Sequence, residues 1–484
     1  MFRKIPLLIG FCLLGSLSLA QFPSSEREHG DHRDNVSRDP NDWPMYNHDA
    51  RGTRFNAGER KLSRKSVSKL QQKWAYLTAG DVYATPIVVD DIIYAGDTSG
   101  AVYALTREGQ LVWQSSVKGP VTGSALVTHR MVVLGDQLGY LYGLDREDGH
   151  IVWSLRPNPN PYAAIYGSPV WVGGEDGDVI MGVSSNEDLY GRPNPNYSCC
   201  HFRGQVLRLH ADDGHVVWQT YLISAADSAN GIAGSSVWAS PTYDGDLRMV
   251  YVATGNCYPG PGCSDSSDSI IGLNADTGAI VWKHQFVAND IENPEADFGD
   301  SPQVYVADGQ KVVGAGEKYT GVYSVLDART GEVIRQNQVV PSCANSNGLF
   351  SDSAVAGDLV FVNGENCELQ SANPLLPVGA VAALTPDASK VVWQQTFAEG
   401  PVFSGVAVAN DVVYFQVSDI PGSIYAVDAK TGAVLTTLPV SGGISGPSVS
   451  HGQVYVGTGT AFATNIEIGM PFPSTPGIIA FGLP

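Results

Sequence analysis

The chain has 484 residues, 43% of them hydrophobic and only 16% charged, with 54 glycines and a formal net charge of −20 at pH 7. This acidity excludes a nucleic-acid binder, because phosphate contacts need a basic surface, and it argues equally against an anionic membrane surface. Length alone suggests about three domains, but abundant glycine and few long polar runs suit short strands joined by tight turns.

Residues 1–20 read as a signal peptide. Arg3 and Lys4 form a basic start, Ile5 to Leu17 an apolar stretch, and Ser18-Leu19-Ala20 a small-residue cleavage site. The apolar run is short for a membrane helix, and no later segment has 18 uninterrupted apolar residues. The expected product is secreted or periplasmic. Residues 21–42 are polar and read as a flexible arm.

From residue 43 onward one pattern recurs: a short apolar strand, a turn with Asp or Gly, and a strand ending in Trp. It reads YALTREGQLVWQ (103–114), YGLDREDGHIVWS (142–154), LRLHADDGHVVWQ (207–219) and IGLNADTGAIVWK (271–283). It continues as YSVLDARTGEVIRQ (323–336), VAALTPDASKVVWQ (381–394) and YAVDAKTGAVLTT (425–437). GIIAFGLP (477–484) is half of an eighth copy, and residues 69–74, ending in Trp74, supply the missing half. The repeats predict an all-β, eight-bladed β-propeller over 43–484, its ring closed by the N-terminal strand pairing with the C-terminal blade. Trp113, Trp153, Trp218, Trp282 and Trp393, at a fixed place in each copy, are expected to pack between neighbouring blades. Repeat spacing is uneven because of insertions at 185–204, 256–269 and 283–300, and loops of this kind carry function in propellers.

Six cysteines follow the signal peptide, allowing 15 connectivities. Local spacing favours Cys257–Cys263, and then Cys343–Cys367. Cys199–Cys200 would be a bridge between adjacent residues. No CxxCH segment for covalent haem is present in the sequence, nor a GxSxG elbow or HExxH helix of a hydrolase.

The DxxTGxxxW core of the repeat resembles the pyrroloquinoline quinone (PQQ) type of propeller repeat. The central motifs are GVSSNE (182–187), SSVWASP (235–241), ATGN (253–256), DFGDSP (297–302) and EKYTGVY (317–323). They stand in the order seen in quinoprotein alcohol dehydrogenases. The Cys-Cys-x-Phe-Arg-Gly segment at 199–204 is similar to that of polyvinyl-alcohol-dehydrogenase-like proteins.

The resemblance implies a PQQ- and calcium-dependent alcohol dehydrogenase acting on a primary or secondary alcohol, small or polymeric. Electrons would pass to a separate acceptor such as a cytochrome c. Glu187, Asn256 and Asp297 would be the metal ligands, since a hard cation takes oxygen donors. Asp297 would be the catalytic base that takes the alcohol proton while hydride goes to the quinone, with Asp300 its near neighbour. Lys318 would donate to the quinone oxygens, Trp238 would form the floor on which the cofactor stacks, and Ser184 would join the cofactor contacts. The sequence departs from the family in three places. Lys118-Gly119-Pro120-Val121 stands where the best-known members carry adjacent cysteines. Gly123 and Ser124 stand where an arginine would meet a quinone carboxylate, and Phe350 where relatives often have Trp. Assembly scaffolds share this repeat without a quinone, so a non-catalytic binding or scaffold propeller is the competing expectation.

Overall fold

The structure is a computed structural model that describes residues 36–37, 39–173, 177–289, 296–342, 348–370, 372, 376–418, 421–459 and 475–484. The expected signal peptide, residues 21–35 of the expected arm, and Cys343 lie outside them. Of the arm's last residues, Val36 and Asp42 are buried, and His451 Nε2 lies 3.1 Å from Asp42 Oδ1. Packed structure therefore begins before Trp43.

Strand pairing gives eight blades of four antiparallel strands, with Phe55–Asn56 added parallel to blade 7 and Ala163–Ala164 added to blade 3. Their first and last strands are Ile87–Val89 and Leu111–Ser116 (blade 1), Leu126–Val127 and Ile151–Leu155 (blade 2), and Val170–Gly173 and Val216–Tyr221 (blade 3). Blade 4 runs from Thr242–Asp244 to Ile280–Gln285, blade 5 from Gln303–Ala307 to Val333–Gln338, and blade 6 from Ala354–Ala356 to Val391–Phe397. Blade 7 runs from Ala407–Ala409 to Val434–Pro439. Blade 8 contains Ser448–Ser450, Gln453–Thr458 and Gly477–Gly482, and Gln71–Leu77 from the other end of the chain pairs antiparallel with Gly477–Gly482. The all-β, eight-bladed propeller follows the repeat count, and the half-copies at the two ends meet in one sheet.

The recurrent Trp and the recurrent turn glycine are two sides of one contact. Trp113 Nε1 donates to Arg146 O at 2.9 Å, Trp153 to Ala211 O at 2.8 Å, and Trp218 to Ala275 O at 2.9 Å, each time on the next blade. Trp282 and Trp393 do the same to Ala328 O and Ala429 O. The indole lies against the turn glycine of that blade: a Cβ on Gly149 would stand 2.5 Å from Trp113, and Gly149 has φ +77°. Both the space and the left-handed backbone require glycine there. Blade 5 lacks the Trp, and Asn337 Nδ2 reaches Ala388 O at 2.7 Å in its place.

Residues 43–56 carry no repeat signature, yet they bond to the innermost strands of seven blades. Trp43 pairs with Val88, and Val127 N donates to Pro44 O. Tyr243, Val304, Val355 and Val408 donate their amides to Ala50, Arg51, Thr53 and Arg54. Asn56 Nδ2 then donates to Val449 O at 2.8 Å. Arg54 is fully buried, donates to Val406 O (2.6 Å) and Tyr46 O (2.8 Å), and lies 4.7 Å over the Tyr46 ring. A buried guanidinium is tolerated only when its donors are satisfied, and here backbone carbonyls from blade 7 and the strap itself do so. Among the described residues no helix is long and apolar enough to cross a membrane.

Candidate active site

Where the innermost strands converge, residues from several blades enclose a cavity of about 670 Å³, within the range of small-molecule sites. Trp238, Lys318, Ser184, Asn256 and Asp297 all line it, although they span some 130 residues of sequence. Ser184 sits near the end of Asp178–Ser185, Asn256 just after Met249–Ala253, Lys318 just after Gln310–Gly316, Asp297 in the 283–300 insertion, and Trp238 in the segment that leads into Thr242–Asp244.

Asp297 and Lys318 form the polar centre. Lys318 Nζ is 3.6 Å from Asp297 Oδ1, and the Lys318 amide donates to Asp297 O at 3.1 Å. Both side chains are largely buried. Lys318 is presented by a turn that Glu317 organises, its carboxylate accepting from the amides of Tyr319 (2.9 Å) and Thr320. Burial pushes Glu317 above its usual range.

Trp238 is half-buried, with its indole held between two glycines. A Cβ on Gly299 would stand 2.6 Å from Trp238 Cη2, and one on Gly255 3.2 Å from Cδ1. Phe350 stands beside it, ring centroids 6.1 Å apart. The cavity therefore has a flat aromatic wall against which a planar ligand can lie. Ser184 Oγ donates to Ala164 O at 2.9 Å, so toward the cavity it offers lone pairs rather than a proton.

Glu187 is not brought to the cavity wall. It is fully buried, and its carboxylate accepts from Asn160 Nδ2 (3.0 Å), Tyr197 OH, His201 N (2.8 Å) and Phe202 N (2.7 Å). It thereby clamps the segment around the Cys199–Cys200 disulfide; Cys257–Cys263 is the second bridge found. The neighbours Asn186 and Asp188 line the cavity instead. Asp300, the alternative base, is also occupied. Its oxygens accept from Gln303 Nε2 (2.6 Å), Ser353 N (2.9 Å), Ser353 Oγ (2.7 Å) and Gly316 N (2.8 Å). Burial and the nearby Asp352 carboxylate push it up to about 8. It braces blades 5 and 6.

Sequence reasoning missed Tyr46 and Asp352 on the cavity wall, and met Ser124 only as a departure from the family pattern. Tyr46 comes from the strap and donates to Asp352 Oδ2. A signal for the others is present: GSA, GSP, ASP, DSP and SDS recur at 123–125, 167–169, 239–241, 300–302 and 351–353, at the entrance to the innermost strand of successive blades.

A family model described as "Outer membrane protein assembly factor BamB" matches residues 53–259 and 377–469, and one described as "Glucose/ethanol/alcohol dehydrogenase, beta-propeller domain" matches 177–345. A polyvinylalcohol dehydrogenase of Sphingopyxis sp. is 26% identical over 91% of this chain and 76% of its own length. The chain belongs to the propeller family of the first model, which matches more than half of its residues, and it resembles PQQ-dependent quinoprotein alcohol dehydrogenases. The quinohemoprotein alcohol dehydrogenase of Comamonas testosteroni has the same fold, with a TM-score of 0.77 at 20% identity, covering 94% of this chain and 82% of that one. BamB from Moraxella catarrhalis superposes less well, with a TM-score of 0.54 at 17% identity over 85% of this chain and 97% of that one. Alcohol dehydrogenase activity is what the names of the Sphingopyxis and Comamonas relatives state of those proteins.

The cavity fits a group such as PQQ. A planar aromatic wall, one cation and a buried unpaired hydroxyl, that of Ser124, face the same space. For a cation, Asp297 and Asn256 supply oxygen donors at the cavity, while the Glu187 oxygens are engaged elsewhere.

Proposed function

We propose that the protein is an exported PQQ- and calcium-dependent alcohol dehydrogenase that oxidises a primary or secondary, including polymeric, alcohol and passes electrons to a separate acceptor. The observation that carries this reading is the convergence of Trp238, Lys318, Asn256, Asp297 and Ser184 on one axial cavity. Trp238 would hold the quinone ring, Lys318 would donate to its oxygens, and Asn256 with Asp297 would hold the calcium ion. When bound, the quinone supplies a two-electron acceptor and the cation polarises its carbonyl.

Asp297 would take the alcohol hydroxyl proton. Its carboxylate stands at the cavity wall beside a lysine that fixes its orientation, as a positioned general base requires. The buried position of Asp297 and Lys318 keeps water away from both, which strengthens their interaction with a bound substrate. Export rests on the basic, apolar and small-residue pattern of residues 1–20, and polymeric alcohols on the name of the Sphingopyxis relative.

The family model described as an assembly factor favours a second reading, a scaffold propeller without quinone. Dye-linked turnover of alcohols separates the two. The enzyme reading expects oxidation that needs both PQQ and calcium, and the scaffold reading expects none under any reconstitution.

A further inference from the structure

The serines that precede the innermost strands form a chain of bonds around the axis. Ser124 N donates to Ser168 Oγ (2.9 Å), Ser168 N to Ser240 Oγ (2.9 Å), and Ser240 N to Ser301 Oγ (3.0 Å). Ser301 N then donates to Asp352 Oδ1 (2.9 Å). Each side-chain oxygen from blade 3 to blade 6 thus receives the amide of the blade before it. The chain stops at blade 2: Ser124 Oγ is buried, lines the cavity, and has no partner. An unpaired buried hydroxyl is costly unless a ligand completes it.

Charge on the wall sharpens the point. Lys318 is the cation among the described lining residues, against the carboxylates of Asp188, Asp297 and Asp352. PQQ carries carboxylates as well as its quinone carbonyls, and those carboxylates need hydrogen-bond donors that a wall rich in aspartate supplies at few positions. No long side chain can supply them from the neighbouring position. A Cβ on Gly123 would stand 2.6 Å from Gly167 O and 2.8 Å from Tyr166 O.

Resting on the cofactor reading above, we propose that Ser124 is a cofactor-binding residue whose hydroxyl donates to a carboxylate of the bound quinone. A neutral hydroxyl at a break in the inter-blade serine chain performs the recognition. The hydroxyls of Ser168 and Ser240 already accept the amides of neighbouring blades, so they are fixed as parts of the ring.

The test compares the purified wild type with Ser124→Ala by titration with PQQ and with its trimethyl ester, in the presence of calcium, read by quenching of tryptophan fluorescence. The ester keeps the ring system and carbonyls and lacks the charges. Ser124→Ala should weaken PQQ binding about 10-fold or more, as expected for a hydrogen bond to a charged group, and leave ester binding unchanged. The melting temperature without ligand should not fall, because the hydroxyl removed bonds to nothing in the free protein. Equal PQQ affinity in both proteins, or equal loss for PQQ and ester, would overturn the assignment. A wild type that binds neither compound would overturn the cofactor reading itself, and this assignment with it.

Discussion

Lys318 Nζ stands 3.6 Å from Asp297 Oδ1, and the same lysine's amide donates to the Asp297 carbonyl at 3.1 Å. The ammonium and the backbone together fix where the carboxylate points. Asp297→Asn keeps the shape and removes the base. Turnover in a dye-linked assay with PQQ and calcium should fall about 10²–10⁴-fold, with the melting temperature little changed. An unchanged rate would move the base elsewhere, and Asp352 would be the next cavity carboxylate to examine.

Trp238 is the flat wall of the cavity, held between Gly255 and Gly299. Trp238→Ala should weaken PQQ binding by about 1–3 kcal/mol, the usual worth of an aromatic stacking contact. Gly299→Ala should act in the same direction, because the new methyl would meet both Trp238 and the Phe350 carbonyl, 2.0 Å from its Cβ. Calorimetric titration of each variant checks this.

Glu187 separates what was legible in the sequence from what was not. The blade count could be read because each copy keeps a tight turn between apolar strands and most add the Trp, although blades 5 and 7 lack the Trp and blade 6 turns at Ala388. Trp238, Lys318, Asn256, Asp297 and Ser184 were legible through motifs that resemble the family's, and all five line one cavity. Glu187 lies two residues beyond the strand Asp178–Ser185, so spacing puts its backbone close to the right place. The direction of its side chain is set by the amides of His201 and Phe202, 14 and 15 residues further on, which spacing does not encode. The strap at 43–56 was illegible for the same reason. Its partners are backbone groups of seven separate blades, and no local periodicity marks them.

If Glu187 is an anchor, Glu187→Gln replaces an acceptor of four hydrogen bonds by an amide with one acceptor and one donor end. Unfolding free energy should drop by about 2–4 kcal/mol, the scale of breaking a buried polar network, while calcium affinity of the PQQ complex changes less than 3-fold (about 0.6 kcal/mol). Loss of calcium binding with unchanged stability would instead make Glu187 a ligand. Urea unfolding and calcium titration measure the two effects separately.

His451 on the blade 8 turn faces Asp42 at 3.1 Å and Asp39 at 3.8 Å. The bond to Asp42 raises its pKa above the ordinary imidazole value, against the opposing effect of burial. A raised folded-state pKa means that this contact stabilises fully below the unfolded pKa of about 6.5 and is lost as pH rises through the folded value. The melting temperature should therefore decline as pH rises above about 6.5, and His451→Gln should flatten that decline. A thermal melt series on both proteins is the check.

The central claim is that the axial cavity binds PQQ in a calcium-dependent way. Calorimetric titration of the purified mature protein with PQQ, with calcium present and after its removal by chelation, tests it most directly. The account predicts binding near one-to-one with calcium and a large loss of affinity without it. No binding under either condition would contradict it and leave the scaffold reading standing.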